Sequence, residues 1–186
     1  MEPQTVVDLA LEADRLDSLP RTGWLLRGVA APETVAAHCF GTAFWAMLLA
    51  DLFPGADALK MLRMALLHEL GEIKLGDIPK IGAAYLPPGA KDEAERRIAA
   101  ELLAPLAARG EKYAALFAEC QAATTIEAKL VRAADKLHLM MKALRYELDG
   151  ARGIAGFWRH AANFPDFGLP EIRALFDELR GRRPRG

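Results

Sequence analysis

Three ionisable residues, His68, Glu69 and Glu72, fall within five positions at the end of a strongly apolar segment. Burying such groups is costly unless they are paired or bind a metal. At helical spacing His68 and Glu72 share a face, and Glu69 lies on an adjoining one. The zinc-protease helix pattern is absent, because the residue four after His68 is glutamate rather than histidine. His38 lies among Val35, Phe40 and Phe44, and Asp135 among Val131, Ala134, Leu137 and Leu139. Aspartate is a poor helix-interior residue, so Asp135 needs a reason to be there. Each group alone has a plain structural explanation: a helix end turned to solvent, a satisfied core histidine, an ion pair with Lys136 or Arg132. Taken together, His38, His68, Glu69 and Asp135 form a mixed nitrogen and oxygen set drawn from three helices. Such a set suits one divalent ion (Mn, Co, Fe or Zn) with positions left open for water.

The elements that must carry these residues read as all-α. Alanine plus leucine number 63 and valine plus isoleucine 12 in a chain of 186 residues, a composition poor in strand-forming material. A helix is expected over 5–19, ended by Pro20, followed by a loop over 21–31. A second helix, carrying His38, is expected from Pro32 to about Phe53, where Pro54-Gly55 breaks it. The third, over 57–72, is apolar on most sides and is read as a central buried helix with His68 and Glu69 near its end. An irregular connection covers 76–89. Further helices are expected over 91–108, shortened by Pro105, and over 111–123. Thr124 and Glu127 have the spacing of a capping box opening a helix that carries Asp135 and runs to Leu148. Two shorter helices are expected over 154–163 and 170–180. A bundle core is a usual seat for a metal site of this type.

Net charge and length narrow the function classes. With 24 basic and 25 acidic residues the net charge is −1, which argues against stable nucleic-acid binding by the chain as a whole. The longest unbroken apolar run, Ala43–Ala50, is far short of a membrane span of ~20 residues. Acidic Glu2, Asp8 and Glu12 stand where an export signal would be basic, so a cytoplasmic protein with no membrane partner is expected. Cys39 and Cys120 read as buried free thiols. Arg180, Arg182, Arg183 and Arg185 form a basic tail read as solvated. The whole of 1–186 is read as one domain, with the motifs within about 20–150 and C-terminal helices and tail over 151–186.

The ordered motifs resemble the HD-domain metal-dependent phosphohydrolases, in particular the 5′-deoxynucleotidase group. The strings that carry the resemblance are Arg21-Thr22-Gly23-Trp24, Pro32-Glu33-Thr34-Val35, Ala65 to Pro79, and Glu127 to Val131 leading to Asp135-Lys136. The resemblance implies an HD-type helical bundle. It implies metal ligation by His38, His68, Glu69 and Asp135, catalytic roles for Glu72 and Asp77, and substrate contacts from Arg21 and Trp24. The implied substrate is a small molecule, a deoxyribonucleoside 5′-monophosphate, and the implied assembly is a homodimer; aromatic Phe157, Trp158, Phe164, Phe167 and Phe176 either cover the core or form the subunit contact. Two positions depart from the family pattern: Ala37 where a glutamate is usual, and Glu69 where the name-giving aspartate is usual. The alternative reading, favoured by Glu69, is a catalytically weak metal- and nucleotide-binding module.

Overall fold

A computed structural model describes residues 2–184; Arg185 of the basic tail lies outside them. Its helices are α1 (Pro3–Asp14), α2 (Thr22–Leu25), α3 (Val35–Leu52), α4 (Ala58–Leu67), α5 (Glu72–Leu75), α6 (Lys80–Ala83), α7 (Ala90–Leu103), α8 (Ala108–Ala122), α9 (Ile126–Leu148), α10 (Ala155–Arg159) and α11 (Pro170–Gly181). Among the described residues there is no strand, and the one β-bridge pairs Pro20 with Thr34. The all-α expectation holds.

The scaffold is built on α3, α4 and α9; α8 packs on α4 and α9 and carries α7, while α10 and α11 pack on α9. Helix α9 is its axis. It buries Leu130, Val131, Ala134, Leu137 and Met140 along one stripe, and its small residues let α3 come close. Gly41 of α3 shows how close: a Cβ there would lie 2.0 Å from the His138 ring. By length and composition α3 is apolar enough to cross a membrane, although its longest unbroken apolar run is Ala43–Ala50. Its inner face, however, buries His38 and Thr42 against the bundle.

Several boundaries move, each for a local reason. Helix α3 starts at Val35 rather than Pro32, because Thr34 caps it by accepting the Ala37 N–H at 3.1 Å. Thr125, not Thr124, caps α9, and Glu127 turns instead to the Asp57 N–H and to Lys60. The expected loop over 21–31 contains α2, and the irregular connection contains α6. The largest correction is at the third helix. It ends at Leu67, not Glu72, and it is one-sided: Met61, Met64 and Ala65 are buried while Leu59 and Leu66 are exposed. The chain turns through His68–Gly71 and restarts as α5. Gly71 lets α7 pack closely on this turn, since a Cβ on it would press to 2.6 Å from the Glu95 backbone. Both cysteines are buried and unpaired, as expected.

Candidate active site

The turn between α4 and α5 places His68 and Glu69 opposite α3 and α9. His68 Nε2 lies 3.3 Å from His38 Nε2, and both nitrogens lie 3.6 Å from Glu69 Oε1. Asp135 Oδ1 lies 3.3 Å from His38 Nε2. Of the four residues expected as ligands, His38, His68 and Glu69 therefore form one mutual cluster, and Asp135 joins it through His38. Metal bonds of about 2.1 Å put neighbouring ligand atoms roughly 3.0–3.4 Å apart, close to the spacing found.

Tautomers support the same reading. His68 Nδ1 is 2.7 Å from the Ala65 carbonyl, so Nδ1 carries the proton and donates it. Nε2 is left with a lone pair aimed at the cluster. Burial and the nearby Arg21 charge push His38 down to about 4 against the opposing pull of Asp135, so its ring is neutral at physiological pH. A neutral imidazole is what a cation needs. Asp135 Oδ1 and Glu72 Oε2 are buried without a hydrogen-bond partner. Lone pairs that converge without a donor between them fit a divalent cation.

Arg21 is the counter-charge. Its Nη1 lies 3.0 Å from Glu69, 3.3 Å from Asp77 and 3.9 Å from Glu72. Burial works against the guanidinium charge, but the surrounding carboxylates outweigh it and hold the proton more tightly than usual. Burial works to raise Glu69, yet His68, Arg21 and His38 hold it down, and it is ionised. Glu72 behaves oppositely: burial and the Glu69 and Asp77 charges push it up to about 9. Lys91 approaches its other oxygen at 3.5 Å from α7, where it also pairs with Glu95 at 2.9 Å. Asp135 is held well below its usual value: burial opposes the charge, but Lys136, 2.9 Å from Oδ2, and His38 prevail. The ion pair once offered as a plain explanation for Asp135 exists, and uses only one of its oxygens.

Asp77 follows Gly76, whose φ of +77° turns the chain back toward α2. Its carboxylate accepts the Thr22 backbone N–H and the Arg21 guanidinium, fixing the start of α2. Trp24, on that helix, is buried, stacked on Phe157 at 4.3 Å and edge-on to Tyr146 at 5.1 Å. Arg21, Trp24, His68, Glu69, Glu72 and Asp77 line one cavity of about 680 Å³ that opens to solvent. His160 is exposed and stands at its margin. Arg132, Lys136 and Lys80 add a cationic wall.

Two residues had no assigned role, or only a weak one, in the sequence. Glu33 and His138 are buried behind His38 and are hydrogen-bonded to each other at 2.8 Å. A glutamate directly before a capping threonine, and a histidine one turn from Asp135, were the available signals. The aromatic residues suggested for a subunit contact chiefly close the core: Trp158 and Phe176 are buried, Phe157 and Phe164 are partly so, and Phe167 is exposed.

The comparisons agree with the geometry. The family model described as HD domain matches residues 13–162. Human "5′-deoxynucleotidase HDDC2" is 32% identical over 173 residues, covering 91% of this chain and 81% of its own. A structure described as a conserved hypothetical protein from Pyrococcus furiosus superimposes with a TM-score of 0.80 at 36% identity, covering 94% of this chain and 99% of its own. One described as a predicted metal-dependent phosphohydrolase from Magnetospirillum magnetotacticum gives 0.67 at 25% identity, covering 97% and 98%. With an all-α scaffold, a buried cluster of His38, His68 and Glu69 beside Asp135, and most of its length matched, the chain belongs to the HD domain family.

Proposed function

We propose that this chain is a divalent-metal-dependent phosphohydrolase that releases phosphate from deoxyribonucleoside 5′-monophosphates. The observation that carries the reading is the cluster of His38, His68 and Glu69 at 3.3–3.6 Å, joined by Asp135 at 3.3 Å from His38, beside a cavity large enough for a nucleotide. These four residues hold one ion, drawn from Mn, Co, Fe or Zn. Such an ion, when bound, lowers the pKa of a water and neutralises phosphoryl oxygens.

The remaining work falls to the chain. Glu72 has a buried oxygen free to hold a water and a carboxyl that keeps its proton through neutral pH, within reach of a leaving oxygen. In hydrolysis the water oxygen bonds to phosphorus, the bond to the 5′ oxygen breaks, and the leaving oxygen takes a proton. Glu72 is the group placed to move that proton. Arg21 offers the rest of its planar fork to phosphate oxygens, and Asp77 keeps it aimed there. Trp24 walls the sugar position and excludes a 2′-hydroxyl.

A homodimer fits the exposed face of α3 better than the C-terminal aromatics. Phe40, Phe44, Met47, Leu48 and Leu52 are all exposed there, and Phe40 stacks on Phe44. An apolar stripe of that size calls for cover, and Phe40→Glu is expected to shift the sedimentation mass to a monomer.

The test of function is phosphate release from dAMP, dTMP and AMP with Mn, Co or Mg, with metal content measured in the same preparation. Asp135→Ala is expected to abolish both metal content and turnover. Retained metal in that variant would refute the ligand assignment. A metal-replete parent inert on every nucleotide would favour the binding module.

A further inference from the structure

Behind the site-facing edge of His38 lies a second polar cluster, and nothing in the proposed reaction uses it. Its centre is Glu33, on the segment that leads into α3. The Glu33 backbone N–H donates to the Tyr146 hydroxyl at 2.8 Å, tying that segment to the C-terminal half of α9. Its Oε2 meets His138 Nε2 at 2.8 Å. Its Oε1 accepts the Trp24 indole N–H at 3.2 Å and faces His38 Nδ1 at 4.0 Å. That His38 nitrogen has no hydrogen-bond partner. The His138 ring occupies the space that the missing side chain of Gly41 leaves open. One buried carboxylate thus touches the pocket-wall tryptophan and looks at the back of a histidine whose front faces Glu69 and Asp135.

The chemistry of His38 makes this arrangement more than a core ion pair. If Nε2 gives its lone pair to a cation, the ring proton sits on Nδ1 and needs an acceptor. Histidines that bind metals commonly donate that proton to a carboxylate, which fixes the ring and raises its basicity. Glu33 Oε1 is the carboxylate oxygen facing Nδ1. The same oxygen fixes the indole of Trp24, so a shift of Glu33 moves both. A purely structural Glu33–His138 pair would need neither contact.

We infer that Glu33 is a positioning residue that sets the His38 ring and the Trp24 indole together, coupling metal affinity to sugar selection. The sugar part rests on the proposed function; the metal part rests on the ligand cluster alone.

The experiment uses full-length Glu33→Gln, Trp24→Phe and the double variant. Three quantities are read: the ¹H–¹⁵N indole signal of Trp24, assigned by its loss in Trp24→Phe; Mn affinity by calorimetry; and the dAMP:AMP ratio of kcat/KM. Glu33→Gln is expected to shift the indole signal and to weaken Mn binding about tenfold, the lower end for a group that orients a ligand. It should also reduce the dAMP:AMP ratio. In the Trp24→Phe background it should leave that ratio where Trp24→Phe puts it, while still weakening Mn binding. A folded Glu33→Gln protein with an unmoved indole signal and parental Mn affinity overturns the inference, as does a dAMP:AMP loss that adds fully to that of Trp24→Phe. If the parent hydrolyses no nucleotide, the proposed function falls, and the indole signal and Mn titration still decide the role of Glu33. Should Glu33→Gln not fold, Glu33→Asp is read in the same assays, with the same expected and refuting results.

Discussion

Arg183 and Arg21 both meet carboxylates, in opposite manners. Arg183 gives two nitrogens to the two oxygens of one partner, Glu147, at 2.9 and 2.7 Å, and lies over the Trp158 ring at 4.7 Å. Around it α11 closes the bundle with Ile172, Phe176 and Leu179, and Arg180 covers Phe164 at 3.8 Å. Arg21 instead presents one nitrogen to Glu69, Asp77 and Glu72. Asp135 lies beyond them, and two carboxylate oxygens of the cluster stay unpartnered. In the C-terminal cap the charged groups pair with single partners: Arg183 with Glu147, Arg180 with Asp177 and Arg182 with Glu178. In the pocket one arginine nitrogen is shared among several carboxylates, and the oxygens left unpartnered have meaning only for something that binds there. Cap substitutions should therefore cost stability and spare the chemistry, and pocket substitutions the reverse.

Glu72→Gln is the sharpest way to test this contrast. The amide keeps shape and reach but cannot take a proton. Turnover of a deoxynucleoside monophosphate should fall by about 10²–10⁴, the usual contribution of a general acid or base, with metal content unchanged. A metal-replete variant as fast as the parent would remove Glu72 from the reaction. Phe176→Ala is the counterpart in the cap. Emptying a buried aromatic site costs about 3–5 kcal/mol, visible as a lower urea midpoint. Turnover per folded molecule should stay at the parental value; a specific loss of activity would break the division between the two regions.

The readable part of the molecule was the part written in local patterns. Alanine and leucine at helical spacing identified the helices, and ordered motifs identified the residues that now converge. What sequence could not show was the break after Leu67. The apolar pattern continues through it, and the close packing of Gly71 on Glu95 of α7 that accompanies the turn has no local signature. That turn aims Glu69 at His38, so the four ligand candidates were legible while the geometry that joins them was not. Glu33 was hidden for a different reason. Its partners Trp24, His138 and Tyr146 lie 9, 105 and 113 residues away, and no local period encodes such pairings. The same holds for the outer face of α3, whose apolar residues were indistinguishable from core until α9 was seen to cover only the other side.

Acid–base linkage gives a smaller effect that separates the two buried groups of the pocket in the metal-free protein. Glu72 rises from 4.5 to about 9 on folding, through burial and the charges of Glu69 and Asp77. Between those values the folded chain keeps a proton that the unfolded chain has released, so stability falls as pH rises. His38 drops from 6.5 to about 4, chiefly through burial. Between those values the unfolded chain takes a proton that the folded chain refuses, so stability rises with pH. The two trends offset each other between pH 4.5 and 6.5, and Glu72 alone acts from 6.5 to 9. The metal-free parent should therefore lose about 3 kcal/mol over that upper window, at ~1.4 kcal/mol per pH unit. Glu72→Gln should flatten it. Melting temperatures of chelator-treated parent and variant at pH 6.5 and 8.5 check this, and equal slopes in the two proteins would contradict it.

Glu69→Asp should have the smallest effect, and it probes the one position where the pocket departs from the family pattern. Glu69 Oε1 has two duties: it stands 3.6 Å from both histidine nitrogens and accepts Arg21 at 3.0 Å. Aspartate is one methylene shorter, a retreat of roughly 1.5 Å. The turn after α4 is not held within a continuous helix, so it can follow the shorter side chain inward and keep the carboxylate near His38 and His68. The Arg21 contact has less room to follow, because Asp77 and the start of α2 anchor that arginine from the other side. The expected outcome is full metal content, a weaker hold on Arg21 and a change in kcat within about tenfold, or 1.4 kcal/mol. An arginine released from Glu69 is freer to engage phosphate, so the change should be an increase. Metal content and steady-state kinetics on dAMP measure it. Loss of the metal on this substitution would mean that the glutamate's length is required, and that the pocket is built around Glu69 rather than adapted to it.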